Sequence, residues 1–319
     1  MQWRRYLALA LMATGGALAS RPAAAASPHR HTSWLAPQFR DELARNGVVY
    51  VTDTGNELVD IFSIDSSHAL LGQITDGICI PWGVAVDASG TVYVASSIGE
   101  CVYGGPDIAV FPAGQTTPSA IISNGMYNPD QLAINPVNQA LFTTGGGNNV
   151  IEYAHGKTTV ERFIVPVGAA PKGLAVDAQG NLFVAYRDYY SDTINHIGVY
   201  DVATRRFADT GITPQTVNGI AFDKSGNLVV CDQGPGTVSV YAPGATTPLH
   251  VYTGFQDPVI VAFDSTGTRL FVDDPGNREV FELDYPSGKQ LTPITGFQDN
   301  TYGIAVSPPL GTASLMEGK

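Results

Sequence analysis

From Asn46 to Gly156 the chain carries no lysine and no arginine, while ten aspartates and glutamates fall in the same stretch. Over the whole sequence 17 Lys and Arg face 29 Asp and Glu, a formal net charge of −12. A phosphate backbone or an anionic membrane surface is held by clustered basic residues, so this balance excludes nucleic acid and anionic lipid as partners. The acidity serves solubility, or it sets up a field that concentrates cations, Ca²⁺ included. Long apolar runs are scarce too. The run Tyr6–Ala19 is shorter than the roughly 20 residues a membrane-spanning helix needs, and no membrane insertion is expected. Several signatures are missing: there is no G-x-S-x-G elbow, no H-E-x-x-H, no G-x-x-x-x-G-K and no cysteine pair at zinc spacing. The glycine-rich run Gly145–Asn149 has no helical pattern after it and is no phosphate cradle.

What is present begins with a secretory signal. Arg4 and Arg5 precede the apolar run, and Ala-x-Ala sites end at Ala19 and Ala26. Residues 1–26 are read as a signal peptide cleaved after Ala26, which sends the chain to a periplasmic or extracellular location. Removing Arg4, Arg5 and Arg21 takes the net charge from −12 to −15. Residues 27–47 form a leader with a short helix expected over Pro37–Arg45. Its His29 and His31 could bind a metal by composition, or belong to a flexible tail, while Trp34 and Leu35 could tuck against the folded body.

The body repeats itself. GVAVDASGTVYVA at Gly83, GLAVDAQGNLFVA at Gly173 and GIAFDKSGNLVVCD at Gly219 are near copies, with looser ones at Asp130, Ile260 and Tyr302. Each copy has short runs rich in Val, Ile, Leu and aromatics, divided by Asp, Gly and Asn turns, which reads as an antiparallel meander. The marker residues Asp87, Asn135, Asp177, Asp223, Asp264 and Ser307 lie 41 to 48 residues apart. That period with four strands per unit predicts an all-β, six-bladed β-propeller of four-stranded antiparallel blades. The first unit starts at its second strand, Val48–Asp53, and the last supplies only a first strand, Tyr302–Ser307. Pairing these two halves closes the ring and leaves no edge between first and last blade. The propeller is therefore placed at residues 48–308, with a tail over 309–319, and a monomer is expected. In such a meander Cys79 and Cys101 fall on connections of the same face, so an exported chain can join them in a disulfide. Cys231, inside a second strand, is left as a buried thiol.

The stretches PWGVAVDASGTVYVA, PKGLAVDAQGNLFVA and NGIAFDKSGNLVVCDQGPGTVSVY resemble the NHL repeat, and TDTGNELVDIF and DDPGNREVFEL resemble its second half. The resemblance spans Val48–Pro308 and implies the same six-bladed architecture. A weaker similarity points to the gluconolactonase-like hydrolases, which hold a divalent metal over the central channel with Glu, Asn and Asp from several blades. Asn218 resembles their Asn-Gly-hydrophobic-Ala position, and Asp130 occupies the same slot in another blade. The family's Arg-x-Asn-Asp-x-x-x-Asp motif and early Glu-Gly-Pro segment are missing here.

In this topology the residues just before each inner-strand glycine, or its equivalent, gather at one mouth of the channel. They are Trp82, Asp130, Lys172, Asn218, Val259 and Tyr302. The scaffold beneath is uniform, whereas these differ from blade to blade, so the mouth is the expected binding surface for a small molecule or a protein. Ligand-binding candidates are Trp82, Asp130, Lys172, Tyr186, Asn218 and Tyr302. No cofactor is required, but Asp130, Asn218 and Asp232 could share Ca²⁺ or another divalent cation through their oxygens, which is the hydrolase alternative. For Asp53, Asp232 and Asp274 the competing role is to cap a turn. The segment Tyr186–His196 is longer than its counterparts and reads either as an aromatic lid over the mouth or as a tolerated insertion. His196 is a candidate general base.

Overall fold

The computed structural model describes residues 32–97, 106–164, 169–188, 191–297 and 300–310. The signal peptide, His29, His31, Cys101, Tyr189 and Tyr190 lie outside the described residues, as does most of the tail. Six antiparallel sheets follow one another around a central channel. Blade 1 is built on the inner strand Thr301–Ser307, blade 2 on Pro81–Val86 and blade 3 on Leu132–Ile134. Blades 4, 5 and 6 start from Ala169–Val176, Val217–Phe222 and Ile260–Phe263. In blades 2 to 6 the chain meanders outward from the inner strand through three more strands. The molecule is a six-bladed β-propeller.

Both faces of every blade are covered by neighbouring blades, so the strands need no polar alternation. Val48–Asp53 is buried at all its positions, and so is Leu58–Ser63. The repeated aspartate after the inner strand closes the hairpin that follows. Asp87 Oδ1 accepts the backbone N–H groups of Ser89 and Thr91 at 2.8 and 3.0 Å. Asp223 repeats this on Ser225 and Asn227, both at 2.8 Å. The turn needs one left-handed residue, supplied by Gly226 at φ +79°.

The ring closes as the sequence pattern requires. Thr301–Ser307 lies antiparallel to Val48–Asp53, with Val48 opposite Ser307, Tyr50 opposite Ala305 and Asp53 opposite Thr301. Blade 1 also gains a fifth, outermost strand that the repeats do not foretell: Trp34 pairs with Gln73 and Leu35 with Gly72. The leader helix spans Phe39–Arg45, and its Phe39 is 1% exposed in the core shared by blades 1 and 2. From Trp34 onward the leader is thus part of the folded body.

Candidate functional site

Four of the six inner strands carry a bulge at the mouth. In blade 2, Pro81 pairs with Ser96 and Val84 with Val94, so Trp82 and Gly83 face a single residue. Asn218 and Gly219 do the same in blade 5, and Tyr302 and Gly303 in blade 1. In blade 4 Lys172 is the extra residue. A bulge bends its strand and re-aims one side chain, and here that side chain is the one that varies between blades. Blade 6, which lacks the glycine, runs without a bulge from Ile260 to Phe263.

The glycines also set how closely the blades meet. A Cβ on Gly83 would stand 2.4 Å from the Asp130 carbonyl oxygen, and one on Gly303 would stand 2.2 Å from that of Trp82. Gly173 faces Asn218 O and Gly219 faces Val259 O in the same way, at 2.0 and 2.6 Å. Trp82, Asp130, Asn218 and Val259 therefore lay their carbonyls against the bare Cα of the preceding blade. Thr52 Oγ1 donates to Trp82 O at 3.0 Å, and Gly219 N donates to Val259 O at 2.7 Å.

One residue deeper, Val84, Leu132, Leu174, Ile220, Val261 and Ile304, one from each blade, line the channel while their side chains belong to separate apolar cores of the ring. The channel cavity they line measures only about 60 Å³. Gln131 is a polar side chain at this level that the sequence reading missed.

Around the mouth the candidates divide. Trp82 and Tyr302, from blades 2 and 1, stack with ring centroids 4.5 Å apart and planes 8° from parallel. The Trp82 indole N–H is buried and has no hydrogen-bond partner among the described residues. Asp130 Oδ1 accepts from Asn128 Nδ2 at 2.8 Å, and Asn128 Oδ1 accepts from Ser97 Oγ at 2.5 Å. Burial raises the Asp130 carboxyl above its ordinary value, while the positive charge of Lys172 acts in the opposite sense. Val259 is buried and offers only backbone groups, already paired with Gly219 and Asp273.

Asp232 is committed elsewhere. Its two oxygens accept the backbone N–H groups of Gln215 and Thr216 at 2.8 and 2.7 Å, which clamps the approach to its blade's inner strand. Asp274 holds Gln256 and Asp257 likewise, both at 2.8 Å, and Asp53 accepts from Asn56. Each Asp232 oxygen thus already accepts one backbone N–H. Among the described residues no group of three His, Cys, Asp or Glu side chains could hold a metal ion.

Tyr186 needs a correction. The described part of Tyr186–His196 is strand: Leu182–Asp188 and Ser191–Asp201 are paired, with Tyr186 opposite His196 and Arg187 opposite Asn195. The Tyr186 ring lies 5.4 Å from His196 and 5.8 Å from Phe207, 9% exposed in the core between blades 3 and 4. Apolar packing has taken it out of reach of a ligand. His196 Nδ1 lies 2.9 Å from Asp209 Oδ2.

No family model matches the chain, and no curated protein matches it. Among solved structures, a chain of a nidogen/laminin complex superposes with a TM-score of 0.69 at 19% identity, covering 83% of this chain and 99% of that one. That likeness establishes the propeller. The architecture hosts many activities, so function has to be argued from the mouth itself.

Proposed function

We propose that the chain is an exported propeller that binds a peptide segment of a partner protein at the channel mouth and performs no chemistry there. The observation that carries this reading is the coplanar Trp82–Tyr302 pair. Two rings held parallel by different blades give a rigid apolar surface at small entropic cost. Asp130 and Lys172 place both charge signs on the same rim, which favours a polar backbone and mixed side chains over a uniformly charged ligand. Export follows from the signal-like residues 1–26. It also accounts for the proposed Cys79–Cys101 bond, since the other cysteine, Cys231, is a free buried thiol.

The test is a displayed-peptide selection on the wild-type protein, with the binders re-measured on Trp82→Ala/Tyr302→Ala. Selected peptides are expected to lose at least ~100-fold in affinity, the equivalent of about 2.7 kcal/mol. Equal binding to both proteins would move the site off the mouth. The hydrolase alternative, resting on Asp130 and Asn218, predicts cation-dependent lactone hydrolysis that disappears in Asp130→Ala. Such activity would replace the binding reading.

A further inference from the structure

Away from the mouth, a cavity of about 480 Å³ opens between blade 6 and the outer strands of blade 1. Its origin can be read from the repeats. In blade 6, Glu279 lies opposite Asp274, and two residues on Phe281 packs edge-on against Phe255, with centroids 5.3 Å apart. In blade 1, Leu58 lies opposite Asp53, and two residues on stands Asp60. Phe297 is the counterpart of Phe255, for each is the aromatic of a Thr-Gly-Phe-Gln-Asp segment leading to the next inner strand. A carboxylate has taken the place of the ring, and the volume a phenyl group fills in one blade is open in the next. At the same register the remaining blades have Ala109, Ile151, Gly198 and Ser239, so Asp60 is the acid of the series.

Asp60 is 7% exposed. Its Oδ1 accepts from Gln73 Nε2 at 2.8 Å, Oδ2 makes no hydrogen bond among the described residues, and the residue lines the cavity. Leu58, Phe62, Leu70 and Phe297 supply the apolar walls, with Phe62 and Phe297 edge-to-face at 5.8 Å. Asp53 also lines the space, its oxygens engaged by Asn56. The His68 nitrogens are occupied by Glu282 and by the Thr292 and Ser63 carbonyls. No lysine or arginine lines the cavity.

We propose that this inter-blade cavity is a binding site for a small organic cation, a primary ammonium on an apolar stem, with Asp60 as its counter-ion. A neutral hydrocarbon would seal Asp60 away from water with Gln73 as its one donor, and an anion would meet two carboxylates. A bare metal ion would leave the walls unused. An alkylammonium satisfies both halves, because its N–H groups reach Oδ2, its stem covers Leu58 and Leu70, and the phenyl faces attract positive charge. Burial, reinforced by Asp53 and opposed by the Gln73 hydrogen bond, pushes Asp60 up to about 6, so it is ionised at neutral pH.

The experiment titrates hexylammonium, hexan-1-ol and hexanoate into the full-length protein, followed by methyl NMR and calorimetry at pH 7.5. Saturable hexylammonium binding is expected, with perturbations at Leu58 and Leu70, hexanol at least ~10-fold weaker and hexanoate silent. Asp60→Asn should bring hexylammonium down to the level of hexanol. Asp60→Phe, which copies blade 6, should abolish binding of both and raise the melting temperature. Trp82→Ala/Tyr302→Ala should bind hexylammonium as the wild type does, which separates this site from the mouth. Absence of saturable binding, equal affinity for hexanol, or undiminished binding by Asp60→Asn would each overturn the proposal.

Discussion

Asp273 stands between blades 6 and 1 with no exposed surface, its Oδ1 accepting from Thr301 Oγ1 and its Oδ2 without a partner among the described residues. Burial pushes its carboxyl up to about 7, with the Thr301 hydrogen bond opposing and the charges of Asp274 and Asp257 adding to the rise. A carboxyl whose folded value lies above its unfolded value of ~3.9 favours the folded state at low pH. That contribution is fully present below about 4, is lost as pH rises through about 7, and is flat above. Asp273→Asn should therefore melt higher than the wild type at pH 8, and the gap should shrink as pH falls towards 4. Thermal unfolding followed across that range checks it, and a gap independent of pH would refute it. Tyr186 gives a second test at this scale. As a core ring, its replacement by Ala should cost about 3 kcal/mol, the price of a buried aromatic. Trp82→Ala, at a half-buried rim position, should cost clearly less in the same denaturant titration.

Strands and turns were legible wherever local chemistry decides them. Asp87 and Asp223 announce their hairpins because an Asx turn needs only the residues beside it. The Val48–Asp53 partner could be read because an unpaired strand at each end of a repeat array leaves one economical solution. The bulges were not legible, since a bulge is a relation between two strands. Only the Trp-Gly, Lys-Gly, Asn-Gly and Tyr-Gly pairs at strand starts hint at it. The Tyr186–His196 hairpin misled because its aspartates and tyrosines look like loop, yet pairing to Ala169–Val176 on one side and Phe207 packing turn it into sheet. Asp232 was placed on the right strand with a backbone-capping role as one of its two readings, but its actual partners were not legible, because Gln215 and Thr216 belong to the segment before the inner strand. Element-scale packing makes its own prediction. Gly173→Ala, with a Cβ driven against Asn218 O, should destabilise by at least ~2 kcal/mol. Gly147→Ala, where a Cβ meets nothing within 4 Å, should be close to neutral. Similar costs at both sites would contradict the close approach of the inner strands.

For the whole molecule, closure is the feature on which the mouth depends. A chain ending at Asn300 lacks the inner strand of blade 1, and with it Tyr302, the Trp82 partner. It should lose its single cooperative unfolding transition. Cys231, fully buried and held protonated by desolvation among Asp273, Asp274 and Asp232, should then become open to alkylation under native conditions. In the intact protein it should react only on unfolding. The most direct measurement is hydrogen–deuterium exchange on the full-length protein with and without the tightest peptide from the selection. The account predicts new protection at the mouth segments 81–83, 172–173, 218–219 and 301–303, which belong to four blades far apart in sequence. Protection confined to the outer strands Ala120–Ile122, Val160–Ile164 and His250–Thr253 would show that the ring binds by its rim, and would contradict the assignment of the mouth as its recognition surface.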